Sequence, residues 1–250
     1  MSSSIAMAAP QRQDNSAIIL RFCYEDKQLL PYYAGNTSEI PSEPGATIEH
    51  LQAATAAVGI NLKLQRLPWL RCLQLLESNE TDALVAAYSP ERAHYTIYPK
   101  DTSGQPDTGR AINRNALCLL HRHDNDLSSK LAEDKTVTLA RPVGYRLLPL
   151  TLNNIQVDVF SIQQAMELVV LGRVDATTSL CEINGVPAHP KELDLMPVVL
   201  LRPPIYHAIG YLMFSQQFYQ QYPEQAEALW QALPKTLDSA RYLEYLSYPW

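Results

Sequence analysis

The first candidate for binding chemistry is Arg92, which stands in the segment Tyr88-Ser89-Pro90-Glu91-Arg92 just after a short apolar run. A planar guanidinium holds a carboxylate through two parallel hydrogen bonds, so an arginine at the end of a buried strand suits an anionic ligand. The alternative is a surface arginine paired with Glu91 or another acid. We expect Arg92 to bind an anionic group, with Tyr88 beside it.

Aromatic and charged side chains gather at two further points of the sequence. Tyr24, Glu25 and Tyr32 follow the first apolar run, and an acid beside aromatic rings suits a ligand with an apolar part and a cationic amine. Trp69 and Arg71 stand in the first turn of a segment with helical spacing, where backbone N–H groups favour anions. We expect all five side chains to contact a ligand. The alternatives are loop packing for Tyr32, a core position for Trp69 and a solvent-facing position for Arg71.

Most catalytic and cofactor motifs are missing from the sequence. It has no glycine-rich phosphate loop, no Gly-x-Ser-x-Gly segment and no His-Glu-x-x-His segment, and no spacing assembles Ser, His and Asp into a triad. His121-Arg122-His123 favours solvated histidines over a metal site. We therefore expect no catalytic residue, no metal and no cofactor.

The composition limits the partners. The 250 residues include 20 Lys and Arg against 26 Asp and Glu, which gives a formal net charge of −6, and 46% of the residues are hydrophobic. No basic block is present that would attract nucleic acid or an anionic membrane surface. No window approaches the roughly 20 apolar residues that span a bilayer. Small polar ligands and other proteins are the expected partners, and the length suits one large domain or two lobes.

The hydrophobic pattern predicts alternating strands and helices. In the first half we predict strands at residues 17–23, 60–64 and 82–87, and helices at residues 47–58 and 69–78. Further strands are predicted at 137–143, 155–160, 174–179 and 208–214, and helices at 215–219, 223–233 and 237–246. Strands that alternate with helices at this spacing indicate a parallel α/β sheet.

A helix–strand unit recurs 93 positions along the chain. Leu67-Pro68-Trp69 through Asp82-Ala83 lines up with Phe160-Ser161-Ile162 through Asp175-Ala176, and each copy has an apolar helix, a polar turn and an Asp-Ala strand. Two similar α/β lobes are the simplest interpretation, and a chance likeness is the alternative. The polar, turn-rich residues 99–115 are predicted to cross between the lobes.

The chain start and the four cysteines bear on the compartment. Residues 1–16 are predicted to be a flexible leader; Ala6-Met7-Ala8 fits a signal-peptidase site, but the charged and apolar parts of a signal peptide are missing. A disordered cytoplasmic N-terminus is the alternative. An even number of cysteines suits two disulfides, one in each lobe, Cys23–Cys72 and Cys118–Cys181. The alternative is four buried thiols.

Several of these segments, in this order, resemble a known family. Tyr24-Glu25-Asp26, Leu67-Pro68-Trp69-Leu70-Arg71-Cys72, Tyr88-Ser89-Pro90-Glu91-Arg92 and Gly172-Arg173-Val174-Asp175-Ala176 are similar to segments of the extracellular solute-binding proteins of family 3. These are the amino-acid-type periplasmic binding proteins of ABC transporters. The resemblance spans roughly residues 17–247.

The resemblance implies a two-lobed α/β fold of the type II periplasmic binding-protein class, each lobe a mainly parallel sheet flanked by helices, joined by a two-strand hinge. Lobe one would comprise residues 17–112 and 207–250, and lobe two residues 113–206. A small carboxylate-bearing or amino-acid-like ligand would bind between the lobes, with its α-carboxylate on Arg92. The family also implies a periplasmic, non-enzymatic monomer without a cofactor that delivers its ligand to an ABC permease.

Lobe two departs from the family at two points. Val143-Gly144 is followed by Tyr145 and Arg146 instead of a hydroxyl-bearing turn, and the stretch after Asp175-Ala176 offers Glu182 instead of a closer Asp. These departures count against an ordinary α-amino acid as ligand, because a buried ammonium without a partner is costly. We expect Tyr145, Arg146 and Glu182 to supply the lobe-two contacts.

Two other functions remain open from the sequence. The first is a sensory or partner-binding module in which lobe closure signals to a membrane receptor. The second is an enzyme resembling the cyclohexadienyl dehydratases, which would need a carboxyl group in the cleft. Glu25 and Glu182 are the candidates for that group.

Overall fold

The computed structural model describes residues 17–143 and 149–248, so the predicted leader (residues 1–16) and the predicted contacts Tyr145 and Arg146 lie outside the described residues. The strands are β1 (Ile19–Glu25), β2 (Asn61–Leu67), β3 (Ala83–Ala87), β4 (Thr96–Ile97), β5 (Asn113–Arg122), β6 (Val137–Pro142), β7 (Asn154–Val159), β8 (Ala176–Ile183), β9 (Val186–Pro187) and β10 (Val198–Ser215). The helices are α1 (Ala46–Ala57), α2 (Trp69–Glu77), α3 (Pro90–Ala93), α4 (Leu127–Ala132), α5 (Ile162–Val170), α6 (Gln216–Gln221), α7 (Pro223–Thr236) and α8 (Ser239–Tyr245).

The strands form one sheet whose two halves mirror each other. Its order is β2-β1-β3-β10-β5-β8-β6-β7, with β4 on β10 and β9 on β8. In one half β1 pairs parallel with β2 and β3, and in the other β6 pairs parallel with β7 and β8. The parallel pairs confirm the predicted strand–helix alternation. Since each half is a parallel α/β unit, the halves are the two lobes, and the domain boundaries stay a prediction.

Two antiparallel strands connect the lobes. β5 and β10 pair with each other, while β10 also pairs with β3 of lobe one and β5 with β8 of lobe two. β10 begins ten residues before the predicted strand. It continues through Pro203 and Pro204 because its pairing with β5 shifts register between Leu201 and Tyr206. Prolines in a paired strand are tolerated at such irregularities.

The two Asp-Ala segments play the same structural role in each lobe. The Asp82 carboxylate accepts a hydrogen bond from the backbone N–H of Arg21 at 2.7 Å, and the Asp175 carboxylate accepts one from Thr138 N–H at 2.8 Å. The backbone N–H of Asp82 in turn donates to the Arg21 carbonyl, and that of Asp175 donates to the Thr138 carbonyl. The aspartates therefore set the register at the start of β3 and β8, and the predicted repeat is confirmed at the level of single bonds.

The lobe-one sheet is buried on both faces. On one side Leu20, Phe22 and Tyr24 of β1 pack against α1 and α7, while Cys23 points to the α2 side. Two disulfides hold elements together, Cys23–Cys72 between β1 and α2, and Cys118–Cys181 between β5 and β8. The predicted pairing is confirmed.

The C-terminal helix α8 spans the two lobes. Tyr242, Tyr245 and Leu246 share one apolar cluster with Leu30 of lobe one and Ile183 of lobe two. The Leu246 carbonyl also accepts a hydrogen bond from Lys191 N–H at 3.2 Å. Residues 242–246 therefore contact both of the lobes that the hinge connects.

A buried histidine joins α1 to the two C-terminal helices. His50 Nε2 lies 2.8 Å from the Leu233 carbonyl, so this nitrogen donates, and Nδ1 lies 3.3 Å from the Tyr242 hydroxyl. Burial lowers the pKa of His50, although the bond to Leu233 opposes that shift. The folded state therefore favours neutral imidazole.

We expect the free energy of unfolding to fall as pH drops below the unfolded value of about 6.5, by at most about 1.4 kcal/mol per pH unit, because the unfolded state takes up the proton more readily. Urea titrations at about pH 7.5 and about pH 5.5 measure the change. His50→Gln, which keeps a donor but does not titrate, should show a smaller pH dependence. An equal dependence in the variant would contradict the assignment to His50.

Candidate ligand-binding cleft

A cavity of about 290 Å³ opens between the lobes. Lobe one supplies the loop after β1, with Leu29, Leu30 and Tyr32, and Ala87 at the end of β3. All of these positions follow the carboxyl ends of parallel strands. Open α/β sheets bind ligands at this edge, since the loops leave a crevice there.

The lobe-one loop is held by backbone contacts to the start of α1. Ala46 N–H donates to the Pro31 carbonyl at 2.9 Å, and Ala34 N–H donates to the Pro44 carbonyl at 3.0 Å. The Tyr32 ring lies edge-on to Tyr242 of α8, with centroids 6.5 Å apart. Burial, with smaller contributions from Tyr242 and Tyr33, raises the pKa of Tyr32 far above its ordinary value. The Tyr32 hydroxyl is therefore neutral at physiological pH.

The buried side chain of Arg66 also holds this loop in place. The Arg66 side chain on β2 donates to the carbonyls of Glu25, Gly35 and Glu39, with distances from 2.7 to 3.2 Å. Its guanidinium also lies 5.1 Å from the centre of the Tyr24 ring. Arg66 is 2% exposed. It ties both ends of the loop to the edge of the sheet and so positions the lobe-one wall.

Lobe two supplies the opposite wall. Arg141 and Pro142 end β6, Ile162 and Met166 face the cavity from α5, and residues 177–180 of β8 lie between them. The Thr177 hydroxyl donates to the Ala140 carbonyl at 2.9 Å, so its hydrogen is already engaged. The wall combines one cationic side chain, several hydroxyls and a broad apolar surface.

The hinge and the chain end close the remaining sides. Leu117 of β5 and Tyr206 and Ala208 of β10 line the cavity, together with Pro190 and Leu246. Leu246 belongs to the cluster that α8 forms with both lobes. The cavity is thus lined by nine short stretches of the chain, spread from Leu29 to Leu246.

Of the predicted contacts, Tyr32 lies in the cavity lining. Arg92 lies next to it, since its guanidinium donates to the carbonyl of the lining residue Ala87 at 2.7 Å. The Ser89 side chain caps the short helix α3 that carries Arg92. The structure therefore brings Arg92 to the lobe-one edge of the cleft, and its role in holding an anion stays a prediction.

Tyr24 and Glu25 lie apart from the lining. Tyr24 is 1% exposed and shares the sheet face of Leu20 and Phe22, because side chains along a strand alternate between faces. Glu25 is buried and its carbonyl accepts from Arg66. The structure places the Tyr24 ring in the lobe-one core, and its contact with a ligand stays a prediction.

Trp69, Arg71 and Tyr88 are also outside the lining. Trp69 and Tyr88 pack against the apolar cluster beneath α2, and the Tyr88 ring lies 4.7 Å from Tyr98. Burial and a hydrogen bond with Tyr88 raise the pKa of Tyr98 to about 12. Arg71 is exposed on α2. For Trp69 the structure shows the core packing that the sequence left as an alternative.

Glu182 lies towards the far end of β8, opposite Ala116 of β5 and Pro187 of β9. It is half-buried and does not line the cavity. The position follows from the length of β8, which extends four residues beyond the predicted strand end and carries Glu182 inside the sheet instead of in a loop.

Arg141, Met166 and Leu246 were missed by the sequence reasoning. The signal for Arg141 was present, because it precedes the Val143-Gly144 end of a predicted strand. Met166 occupies an inward position of a helix that was recognised. Leu246 carries no local signal, since only the packing of α8 across both lobes brings it to the cleft.

Within the described ranges, no group of three or more His, Cys, Asp or Glu side chains is placed to hold a metal ion. None of the helices in those ranges is long and apolar enough to cross a bilayer. The candidate site is therefore defined by the cleft itself.

Comparison with solved structures identifies the fold. The chain is similar to the probable amino-acid ABC transporter extracellular-binding protein ytmK from Bacillus subtilis, with a TM-score of 0.67, 13% identity and coverage of 92% of this chain and 97% of that one. It is also similar to the periplasmic VFT2 domain of Bordetella pertussis BvgS, with a TM-score of 0.60, 13% identity and 92% coverage of both chains.

A third similar structure is the ancestral amino acid-binding protein AncCDT-1, a precursor of cyclohexadienyl dehydratase, with a TM-score of 0.60, 16% identity and coverage of 91% and 92%. No protein-family model and no curated protein matches the sequence. At these identities the likeness establishes the fold, and the predicted two-lobed α/β solute-binding fold is confirmed.

Proposed function

We propose that this chain is a solute-binding protein that captures a small carboxylate-bearing or amino-acid-like ligand between its lobes and delivers it to an ABC permease. The observation that carries the proposal is the cavity of about 290 Å³ lined from both lobes and from the two hinge strands. A ligand in this position contacts both walls, so binding favours the closed arrangement of the lobes.

Binding without turnover is the form of this function that the lining supports. Of the described residues that line the cavity, none is an Asp, Glu, His or Cys. General acid–base and nucleophilic catalysis use such side chains most often. The dehydratase-like alternative needs a carboxyl group at the ligand, and Glu25 and Glu182 both lie outside the lining.

The compartment is part of the proposal. Two disulfides join β1 to α2 and β5 to β8, and disulfides persist in oxidising compartments such as the periplasm. The similar structures named above include an extracellular-binding protein and a periplasmic domain. We place this chain in the periplasm as a monomer.

A ligand screen tests the proposal. Thermal unfolding of the full chain is followed with amino acids, polyamines, small carboxylates and aromatic acids, because a ligand at 100 times its Kd stabilises the folded state by about 2.7 kcal/mol. Thr178→Phe fills the cavity from β8 and should abolish the shift. Glu167→Phe adds the same ring on the exposed side of α5 and should retain it. A flat response to the whole screen would contradict a solute-binding role.

A sensory module is the second candidate, favoured by the similarity to the BvgS periplasmic domain. In both functions the lobes close on a ligand. The functions differ in the membrane protein that the closed form contacts, a permease or a receptor. Permease and ATPase genes beside this gene would favour import, whereas a kinase or cyclase gene would favour sensing. Incubation with prephenate or arogenate tests the enzyme alternative, and we expect no loss of their absorbance.

A further inference from the structure

The charge of the cavity lining is the first observation behind this inference. Among the lining residues that the structure describes, Arg141 is the one charged side chain. The neighbouring residues 144–148 are Gly-Tyr-Arg-Leu-Leu, so they contribute no carboxylate in any conformation. An ammonium group in this cavity would find no counter-charge among the described lining residues, which is costly when the group is removed from water.

Arg141 is placed to present its charge to a ligand. It lies near the carboxyl end of β6, and its side chain is 24% exposed. Its Nη2 is 2.8 Å from the Asp158 carboxylate on the adjacent strand β7, and the Asp158 side chain is 58% exposed. An ion pair with an exposed partner contributes little to the free energy of folding. A guanidinium has five N–H donors in a planar fork that matches a carboxylate.

Apart from Arg141 and a few hydroxyl-bearing side chains, the lining is apolar. Leu29, Leu30, Leu117, Ile162, Met166 and Leu246 surround the cavity from both lobes, the hinge and the chain end. The cavity volume of about 290 Å³ lies at the small end of the range for ligand pockets, so it suits a small molecule. A body of that size with aliphatic or aromatic character is stabilised by burial there.

We propose that the ligand is a small organic acid with an apolar body and no amino group, and that Arg141 of lobe two holds its carboxylate. This inference rests on the proposed solute-binding function and specifies its ligand class. The ligand then needs no counter-charge beyond the guanidinium, and the absence of an acid in the described lining becomes a source of selectivity against zwitterions.

Matched ligands test the selectivity. Isocaproate is leucine without its amino group, and isoamylamine is leucine without its carboxylate. Hydrocinnamate and phenethylamine stand in the same relation to phenylalanine. By calorimetry on the full chain, we expect each acid to bind at least about tenfold more tightly than its parent amino acid, and the amines to show no binding.

Three variants test the role of Arg141. Arg141→Gln should weaken acid binding by about tenfold or more, since hydrogen bonds to charged groups are among the stronger ones. Arg173→Gln removes the same charge from an exposed position of lobe two and should leave affinity unchanged. Asp158→Asn breaks the ion pair but keeps the guanidinium, so acid binding should be retained or strengthened. Thermal unfolding of each unliganded variant checks that it is folded.

The outcomes separate the inference from the proposed function. An amino acid or amine that binds as tightly as its matched acid would overturn the inference and leave solute binding standing. Loss of affinity in Asp158→Asn equal to that in Arg141→Gln would show that Arg141 acts only through its ion pair, which also overturns it. If none of the six compounds binds, the inference fails, and the wider screen described above decides the function.

Discussion

Replacing Arg66 by methionine should lower the free energy of unfolding by at least about 3 kcal/mol. Its guanidinium is buried and donates to the carbonyls of Glu25, Gly35 and Glu39. Methionine keeps much of the apolar volume but leaves these carbonyls without their donor, and each buried polar group left unpaired costs about 1–3 kcal/mol. Burial lowers the pKa of Arg66, yet an arginine remains charged.

The same variant should weaken ligand binding, because the loop that Arg66 holds carries Leu29, Leu30 and Tyr32 of the cleft. Arg66→Lys keeps the charge without the planar fork and should fall between wild type and Arg66→Met. Lys63→Met changes an exposed residue of the same strand and should alter stability by no more than about 0.5 kcal/mol. Urea unfolding gives the three values, and a loss below about 1 kcal/mol in Arg66→Met would refute the role.

Gly45→Ala is expected to be comparably severe although it adds one methyl group. Gly45 precedes α1 with a φ of +110°, a conformation that favours glycine. A Cβ at this position would lie 2.6 Å from the carbonyl carbon of Tyr32 and 2.7 Å from Cα of Tyr33, and it would meet the Tyr32 oxygen as well. These are backbone atoms, so rotating a side chain cannot relieve the contact.

We expect Gly45→Ala to lower the free energy of unfolding by about 3 kcal/mol or more, by combining backbone strain with overpacking. Displacement of Tyr32 should also weaken binding of any ligand found in the screen. Gly59→Ala is the matched control, because Gly59 has a φ of +71° and a methyl group added there would have no neighbouring atom within 4 Å. It should cost only the strain of about 1–2 kcal/mol. Equal losses in the two variants would show that the close approach to Tyr32 does not matter.

The fold was largely predictable because local patterns in this chain agree with its tertiary structure. β1, β3 and the helices α1 and α2 lie within a few residues of the predicted elements, since buried parallel strands form unbroken apolar runs. The Asp-Ala repeat was informative because Asp82 and Asp175 accept a backbone N–H from the adjacent strand. Because this hydrogen bond needs a carboxylate at the start of the strand, an Asp occurs at the same position in both lobes.

The lining of the cavity was less predictable, and strand alternation explains part of the difference from the predicted site residues. Tyr24 shares the face of Leu20 and Phe22, so its core position followed from the period of two. By the same rule Arg66 lies on the face of Leu62 and Leu64. A buried guanidinium there needs hydrogen-bond acceptors around it. The prediction for Tyr24 rested on its proximity to the strand end, whereas the direction of its side chain places it in the core.

By itself, the sequence determined the alternation of strands and helices and the repeated lobe, because each rests on residues that are close in the chain. It predicted the disulfide pairing only through the assumption of one disulfide in each lobe, and the structure confirmed that pairing. The tertiary structure decided the lining of the cleft. Leu29, Arg141, Tyr206 and Leu246 meet there only after two hinge strands and a helix spanning both lobes are in place. A surface formed by distant segments depends on their relative positions, and no local period of the sequence encodes those positions.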